Sequence, residues 1–231
     1  DAIFLGKRTY YGPEDFYDSR YDPNFSPLVY PGQTVHASVR LAEGSCPLRA
    51  CLYARDAHGG ETALSDAVAL EPGRWHELAL RIPQADGALI DEIGVRLEAA
   101  GLDGGLMSAY LDDLYFDGAP DYAVDLSRER TEVWSQSHRG VSQFTRLKGL
   151  MYLEDGELHL TGADFAEAYT GRHDWTDYAA RFVLSVQQPG AHACANFRVQ
   201  GAMRSYAAGF IGENAFAIAK NEGGAYRVLC Q

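Results

Sequence analysis

Period-two alternation of apolar and polar residues constrains this chain more than any other feature. It recurs in Thr34-Val35-His36-Ala37-Ser38-Val39-Arg40-Leu41, in Leu48-Arg49-Ala50-Cys51-Leu52-Tyr53-Ala54, in Trp75-His76-Glu77-Leu78-Ala79-Leu80-Arg81-Ile82 and in Glu92-Ile93-Gly94-Val95-Arg96-Leu97-Glu98. Successive side chains of a strand point to opposite faces, so each such segment buries one face and solvates the other. Turn signals separate them: His58-Gly59-Gly60, Glu71-Pro72-Gly73 and Asp103-Gly104-Gly105. A last strand over Ser108 to Gly118 closes the set. Strands of this length and spacing, with no long helical period between them, predict an antiparallel sandwich rather than a βαβ fold.

The alternation begins only at Gln33. From Asp1 to Pro31 the chain is aromatic and rich in Pro and Gly, which excludes a helix but is too apolar for a loose tail, so this segment is expected to wrap against a sheet. After Pro120 a polar stretch, Asp121 to Arg139, is expected to join a first domain (residues 1–120) to a second (residues 121–231), with short strands at Ala123–Leu126 and Thr131–Trp134. The second domain shows Gly149 to Glu154, the turn Asp155-Gly156 and Glu157 to Thr161 as a hairpin. Further strands are predicted at Tyr178–Val186, His192–Val199, Ser205–Ile211, Ala215–Lys220 and Ala225–Leu229. The fold class is therefore all-β, two tandem antiparallel β-sandwiches.

Several function classes fall away on composition. With 32 acidic and 20 basic side chains the formal charge is -12, which offers no footprint for nucleic acid. No apolar run reaches the roughly 18 residues of a membrane-spanning helix, so no membrane partner is expected. The chain starts at Asp1 without an initiator Met or a leader, and reads as part of a longer protein whose compartment stays open. Four cysteines leave two readings, buried thiols or a Cys46–Cys51 bridge.

Pro31-Gly32-Gln33-Thr34-Val35, the turn Leu70-Glu71-Pro72-Gly73-Arg74-Trp75 and the closing Ala109-Tyr110-Leu111-Asp112-Asp113-Leu114 resemble galactose-binding-like jelly rolls, the fold of many carbohydrate-binding modules. From about Thr145 onward, the Asp155-Gly156 hairpin, the Gly171 to Tyr178 approach and the Arg204 to Phe210 strand are similar to the opening half of a concanavalin-A-like or laminin-G-like jelly roll. That resemblance implies further strands after Gln231. The expected consequence is an open carboxyl-terminal sheet edge, through which a homo-oligomer could form. The tandem order and the Tyr10 to Tyr30 segment also resemble the region following the catalytic domain in bacterial proteins of the ADP-ribosylglycohydrolase family. None of that family's paired Asp metal motifs can be placed here, so hydrolase activity does not transfer to this chain.

Candidate chemistry is sparse. Asp112, Asp113 and Asp117 form the densest carboxylate group in a strand, and resemblance to jelly rolls that hold a structural ion makes them a calcium candidate. Adjacent strand residues point apart, so solvent-facing carboxylates bonded to loop amides are the alternative. The cluster His173-Asp174-Trp175-Thr176-Asp177-Tyr178 reads as a strand anchor before it reads as a glycosidase centre, because a glycosidase needs two carboxyls at a set gap across a cleft. The seven histidines show no HxH or HExxH spacing, and no nucleophile signature or phosphate loop is present. No catalytic residue is named. Sugar recognition combines aromatic faces with planar polar groups, which selects Tyr53, Arg55, Trp75 and Tyr110 in the first sandwich and Trp175, Arg198 and Tyr206 in the second. Two functions remain: a non-catalytic accessory region of a bacterial hydrolase that binds a glycan, or a structural module that packs on the parent's catalytic domain or assembles chains. A concanavalin-A-like glycosidase or lyase is a third.

Overall fold

The computed structural model describes residues 2–15, 27–57, 62–99, 107–133, 139–188, 190–201, 204–211, 215–223 and 225–231. The turns expected at residues 58–60 and 103–105 and most of the aromatic stretch at 16–26 lie outside them. In chain order the strands are β1 (Ala2–Arg8), β2 (Thr34–Leu41), β3 (Leu48–Asp56), β4 (Thr62–Leu64), β5 (Val68–Ala69), β6 (Trp75–Arg81), β7 (Ile90–Ala99), β8 (Ala109–Asp117) and β9 (Thr131–Val133). They continue as β10 (Arg139–Val141), β11 (Thr145–Lys148), β12 (Leu150–Glu154), β13 (Glu157–Thr161), β14 (Glu167–Tyr169), β15 (Ala193–Phe197), β16 (Arg204–Phe210), β17 (Phe216–Glu222) and β18 (Ala225–Cys230). Among the described residues the only helical turn is a short 3-10 segment at Pro13–Asp15. The protein is all-β and its strand pairs are antiparallel.

The chain divides into two compact units, residues 1–170 and 171–231. In the first, β1-β7-β3-β4 form one sheet with β5 added to β3, and β6-β2-β8 form a second. The long strands β2, β3, β6, β7 and β8 thus alternate between sheets, as in a jelly roll. The alternating residues read from the sequence are the reason. Val35, Ala37, Val39 and Leu41 of β2, with Leu78 and Leu80 of β6, meet Ala50, Leu52 and Ala54 of β3 and Ile93, Val95 and Leu97 of β7 in one core.

Two features depart from strict alternation. Strand β1 pairs with β7 over seven residues, so the amino-terminal segment begins as a sheet strand rather than as an irregular wrap. Gly6 sits mid-strand, where a missing side chain ordinarily weakens a strand. In the sheet it faces Gly94, and a Cβ on Gly6 would lie 2.2 Å from the Tyr53 hydroxyl, so glycine is what lets Tyr53 lie across both strands. Strand β8 carries a bulge: Ser38 pairs with Asp112 and His36 with Tyr115, so Asp113 and Leu114 together oppose Ala37. Asp113 adopts a left-handed φ of 53°, and its amide donates to Asp112 Oδ1 at 2.9 Å. A bulge residue in this conformation adds one position and exchanges the faces beyond it.

Residues 119–133 are bound to the first sandwich. Asp121 N donates to Pro31 O, Arg128 Nη1 to Asp86 O and Arg130 Nη2 to Ala57 O. Glu129 is buried and accepts Ser142 Oγ at 2.7 Å and the Gln143 amide at 2.9 Å, while Gln143 Nε2 also reaches Gly87 O. Burial pushes the Glu129 carboxyl up, against these hydrogen bonds. The strand expected at Ala123–Leu126 is absent and a turn at 126–128 stands there, its Ser127 amide and hydroxyl bonded to Asp125 Oδ1. The β12–β13 hairpin forms at its expected turn, with Asp155 and Gly156 both left-handed.

The second unit is a four-stranded meander, β15-β16-β17-β18. One face is lined by Ala207, Ala217 and Ala219 with Ile211. The strand expected at Tyr178–Val186 does not pair: no ladder or turn hydrogen bond involves its main chain among the described residues, and Val183 is 97% exposed. All four cysteines are free thiols.

Candidate ligand-binding site

The outer face of β6-β2-β8 gathers polar and aromatic groups because the inner face takes every large aliphatic residue of these strands. Register fixes the rows. Arg40 lies between Trp75 and Tyr110, Ser38 between Glu77 and Asp112, His36 between Ala79 and Tyr115, and Thr34 between Arg81 and Asp117. Because Asp113 is taken up in the bulge rather than in an ordinary ladder position, Tyr115 and Asp117 stay on this face with Tyr110 and Asp112.

The first row is the most distinctive. The Arg40 guanidinium carbon lies 5.0 Å from the Trp75 ring centre and 4.7 Å from that of Tyr110. Trp75 is 43% exposed and Tyr110 50% exposed, so each ring holds the cation on one side and meets solvent elsewhere. Cation–π contact on both sides orders the long Arg40 side chain without occupying its N–H donors. Among the described residues Arg40 makes no hydrogen bond or ion pair. In the next row Glu77 and Ser38 are likewise unpartnered among the described residues, and Asp112 accepts only from the neighbouring amide. Two rows below, His36 stacks on Tyr115 at 4.7 Å and 13°, with its Nε2 3.0 Å from Asp117 Oδ1.

Trp75 and Tyr110 are therefore brought together, with Arg40 between them as the residue that sequence reading missed. The signal was present: Arg40 and Trp75 fall on the polar phase of their strands. What the sequence lacked was the register that aligns them.

Tyr53 and Arg55 sit on the outer face of the other sheet and do something different. Tyr53 is 1% exposed, its hydroxyl donates to Glu92 Oε1, and Arg55 Nη2 reaches Glu92 Oε2 at 2.6 Å. Phe4 packs edge-on against Tyr53 at 5.1 Å. Burial, reinforced by the Glu92 carboxylate, raises the Tyr53 phenol above its ordinary range. Burial also raises Asp91, opposed by Arg55 and Arg8. Tyr53, Arg55 and Glu92 thus satisfy one another, while the neighbouring Asp91 Oδ1 is buried without a hydrogen bond among the described residues, 3.6 Å from Arg55 Nε.

In the second unit Arg198 and Tyr206 line a cavity of about 1280 Å³ together with Tyr178, Phe197, Arg204 and Lys220. Arg198 Nη2 pairs with Asp177, and its amide is bonded to the Tyr178 hydroxyl. Lys220 pairs with Glu222, which the lysine holds below the usual carboxylate range. Trp175 stands apart, packed on Gly171 and edge-on to Tyr178 at 6.5 Å.

Asp112, Asp113 and Asp117 are spread along β8, Asp117 is engaged by His36, and among the described residues no group of three or more His, Cys, Asp or Glu side chains could hold a metal. Glu77 and Asp112 face each other across β2, but both are exposed on an open sheet, whereas a glycosidase general acid needs surroundings that keep it protonated.

What the fold and this face define is an all-β protein with a β-sandwich bearing an open aromatic and polar surface on its smaller sheet. No family model, no curated protein and no solved structure matches the chain.

Proposed function

We propose that this chain is a non-catalytic accessory region that binds carbohydrate, joined to a bacterial hydrolase such as one of the ADP-ribosylglycohydrolase type. The observation that carries the reading is the row Trp75-Arg40-Tyr110: two half-exposed aromatics flank a guanidinium whose donors no group among the described residues uses. Aromatic rings pack on the apolar faces of pyranoses, and free donors and acceptors beside them meet hydroxyls. Isothermal calorimetry against a panel of soluble polysaccharides tests it. Saturable binding that falls at least tenfold in Trp75→Ala supports it, and no binding across the panel overturns it.

A second reading, an interaction module, is favoured by the outer face of the second unit. Phe216 and Ile218 are exposed there at 60% and 48%, beside Tyr206. Contiguous exposed apolar surface of this kind marks contact sites. Assembly through this face or the β18 edge would show as concentration-dependent mass in light scattering, abolished by Phe216→Ser with Ile218→Ser. A monomer at all concentrations removes self-association.

A further inference from the structure

Charge and strand spacing on the β6-β2-β8 face narrow the ligand. We infer that it is an uncharged, extended glycan laid across the three strands, with one sugar over Arg40 and its neighbours against Trp75 and Tyr110. The inference rests on the carbohydrate-binding reading above.

The direction follows from the register. Trp75 and Tyr110 stand on the two strands flanking β2, about 9–10 Å apart at the backbone, two interstrand spacings. An extended pyranose chain advances by about one such spacing per ring, so the row spans roughly three sugars. A monosaccharide engages one ring only.

The chemical class follows from what surrounds Arg40. Nothing among the described residues engages its donors, which on its own fits either a carboxylate or hydroxyls. The rest of the face decides. Glu77, Asp112, Asp113 and Asp117 stand there against Arg40 and Arg81, and the chain carries a formal charge of -12. Glu77 and Asp112 flank the row directly below Arg40, exposed and without a cationic partner among the described residues. A polyuronate running along the first row would bring its repeating charges past both carboxylates, and like charges at that range repel. Hydroxyls reverse the situation. A neutral sugar donates to Glu77 and Asp112 and accepts from Arg40, so every unpartnered group in the two rows finds a partner. The acidic row therefore acts as the element that discriminates against anionic chains while serving neutral ones.

Calorimetry of the intact chain with neutral oligosaccharides of one to six residues, drawn from xylan, β-glucan and mannan, and with oligogalacturonates of matched length, tests this. Affinity for a neutral series should rise steeply up to about three or four sugars and then level, with oligogalacturonates bound at least tenfold more weakly. Glu77→Gln with Asp112→Asn should narrow that gap, and Arg40→Met should weaken neutral binding at least tenfold while leaving the thermal midpoint in place. Tighter binding of oligogalacturonate than of any neutral series overturns the inference but leaves carbohydrate binding standing. Equal affinity for monosaccharide and hexasaccharide also overturns it. If no sugar of either class binds, the carbohydrate reading fails and takes this inference with it.

Discussion

The two outer faces of the first sandwich use the same residue types to opposite ends. On the larger sheet Tyr53, Arg55 and Glu92 are bonded to one another, and Tyr53 is buried over Gly6 and Gly94. On the smaller sheet Trp75, Arg40, Tyr110 and Glu77 stand in the same relation of aromatic, guanidinium and carboxylate, yet the guanidinium and the carboxylate find no protein partner among the described residues. Polar groups that satisfy one another contribute to the fold, because removing one leaves another buried and unpaired. Groups ordered by packing but left unpaired cost little in water and are available to a ligand. Composition alone does not separate these cases; burial and closure of the hydrogen-bond network do.

The largest test of the contrast adds one residue. Inserting one alanine after Asp113, with β8 keeping its pairing at Tyr110 and Asp112 and its single bulge, turns Leu114 and Phe116 to solvent and Tyr115 and Asp117 into the core. Each large apolar side chain so exposed loses about 1.5–3 kcal/mol, and a buried Asp costs more. The expected result is no cooperative unfolding by circular dichroism. An insertion variant that unfolds like the parent would show that the residue count of β8 does not set the face.

Next come paired truncations, one from each face. Tyr53→Ala should lower stability by about 3–5 kcal/mol in urea titration, as for other large buried aromatics. Trp75→Ala should change stability by less than about 1 kcal/mol, since half of the ring is already in solvent, and its effect should fall on ligand affinity. If the two variants lose equal stability, the distinction between a closed and an open face fails.

The carboxylates extend the same contrast to pH. Burial raises both Asp91 and Glu129, so the folded state holds a proton more tightly than the unfolded chain. Between the ordinary carboxylate range and the raised values, stability therefore increases as pH falls and decreases as pH rises. Glu129→Gln should remove that group's share, seen as a flatter dependence of the urea midpoint between pH 7 and pH 4.5. Asp174 and Glu222 run the other way, held low by Arg172 and Lys220, and what they contribute is lost only on deeper acidification. A parent protein whose stability climbs with pH across this window would contradict the assignment.

Much of the first sandwich was legible because its strands alternate strictly. The orientation of Trp75 could be read from its phase with Glu77 and Ala79. Strand β1 could not, because it lies in the aromatic, Pro- and Gly-rich segment that precedes the alternation, and its place follows from pairing with β7. Nor could the alliance of Trp75, Arg40 and Tyr110, which depends on the pairing of three strands far apart in sequence. Tyr53 is a ligand candidate by residue type alone, since nothing local to residues 51–55 shows that Glu92, on a strand paired alongside, takes its hydroxyl. The segment Tyr178–Val186 has strand-like composition without a partner, and period alone does not supply one.

The smallest expected effect returns to the bulge. Asp113 holds a φ of 53°, a conformation that costs an L residue energy and glycine none, although Asp tolerates it better than most. Asp113→Gly keeps the extra residue and hence the face exchange, and it preserves the amide that donates to Asp112. Relief of strain and the added freedom of the unfolded chain nearly offset, so stability should move by no more than about 0.5–1 kcal/mol in either direction. Removing one carboxylate from the face should at the same time slightly improve the tolerance for oligogalacturonate. Insertion beside Asp113 and glycine substitution at it thus separate the residue count of β8, which decides what faces solvent, from the Asp113 side chain, which only adjusts the charge of that face. If Asp113→Gly destabilised the protein as much as the insertion does, the side chain rather than the residue count would be organising the face.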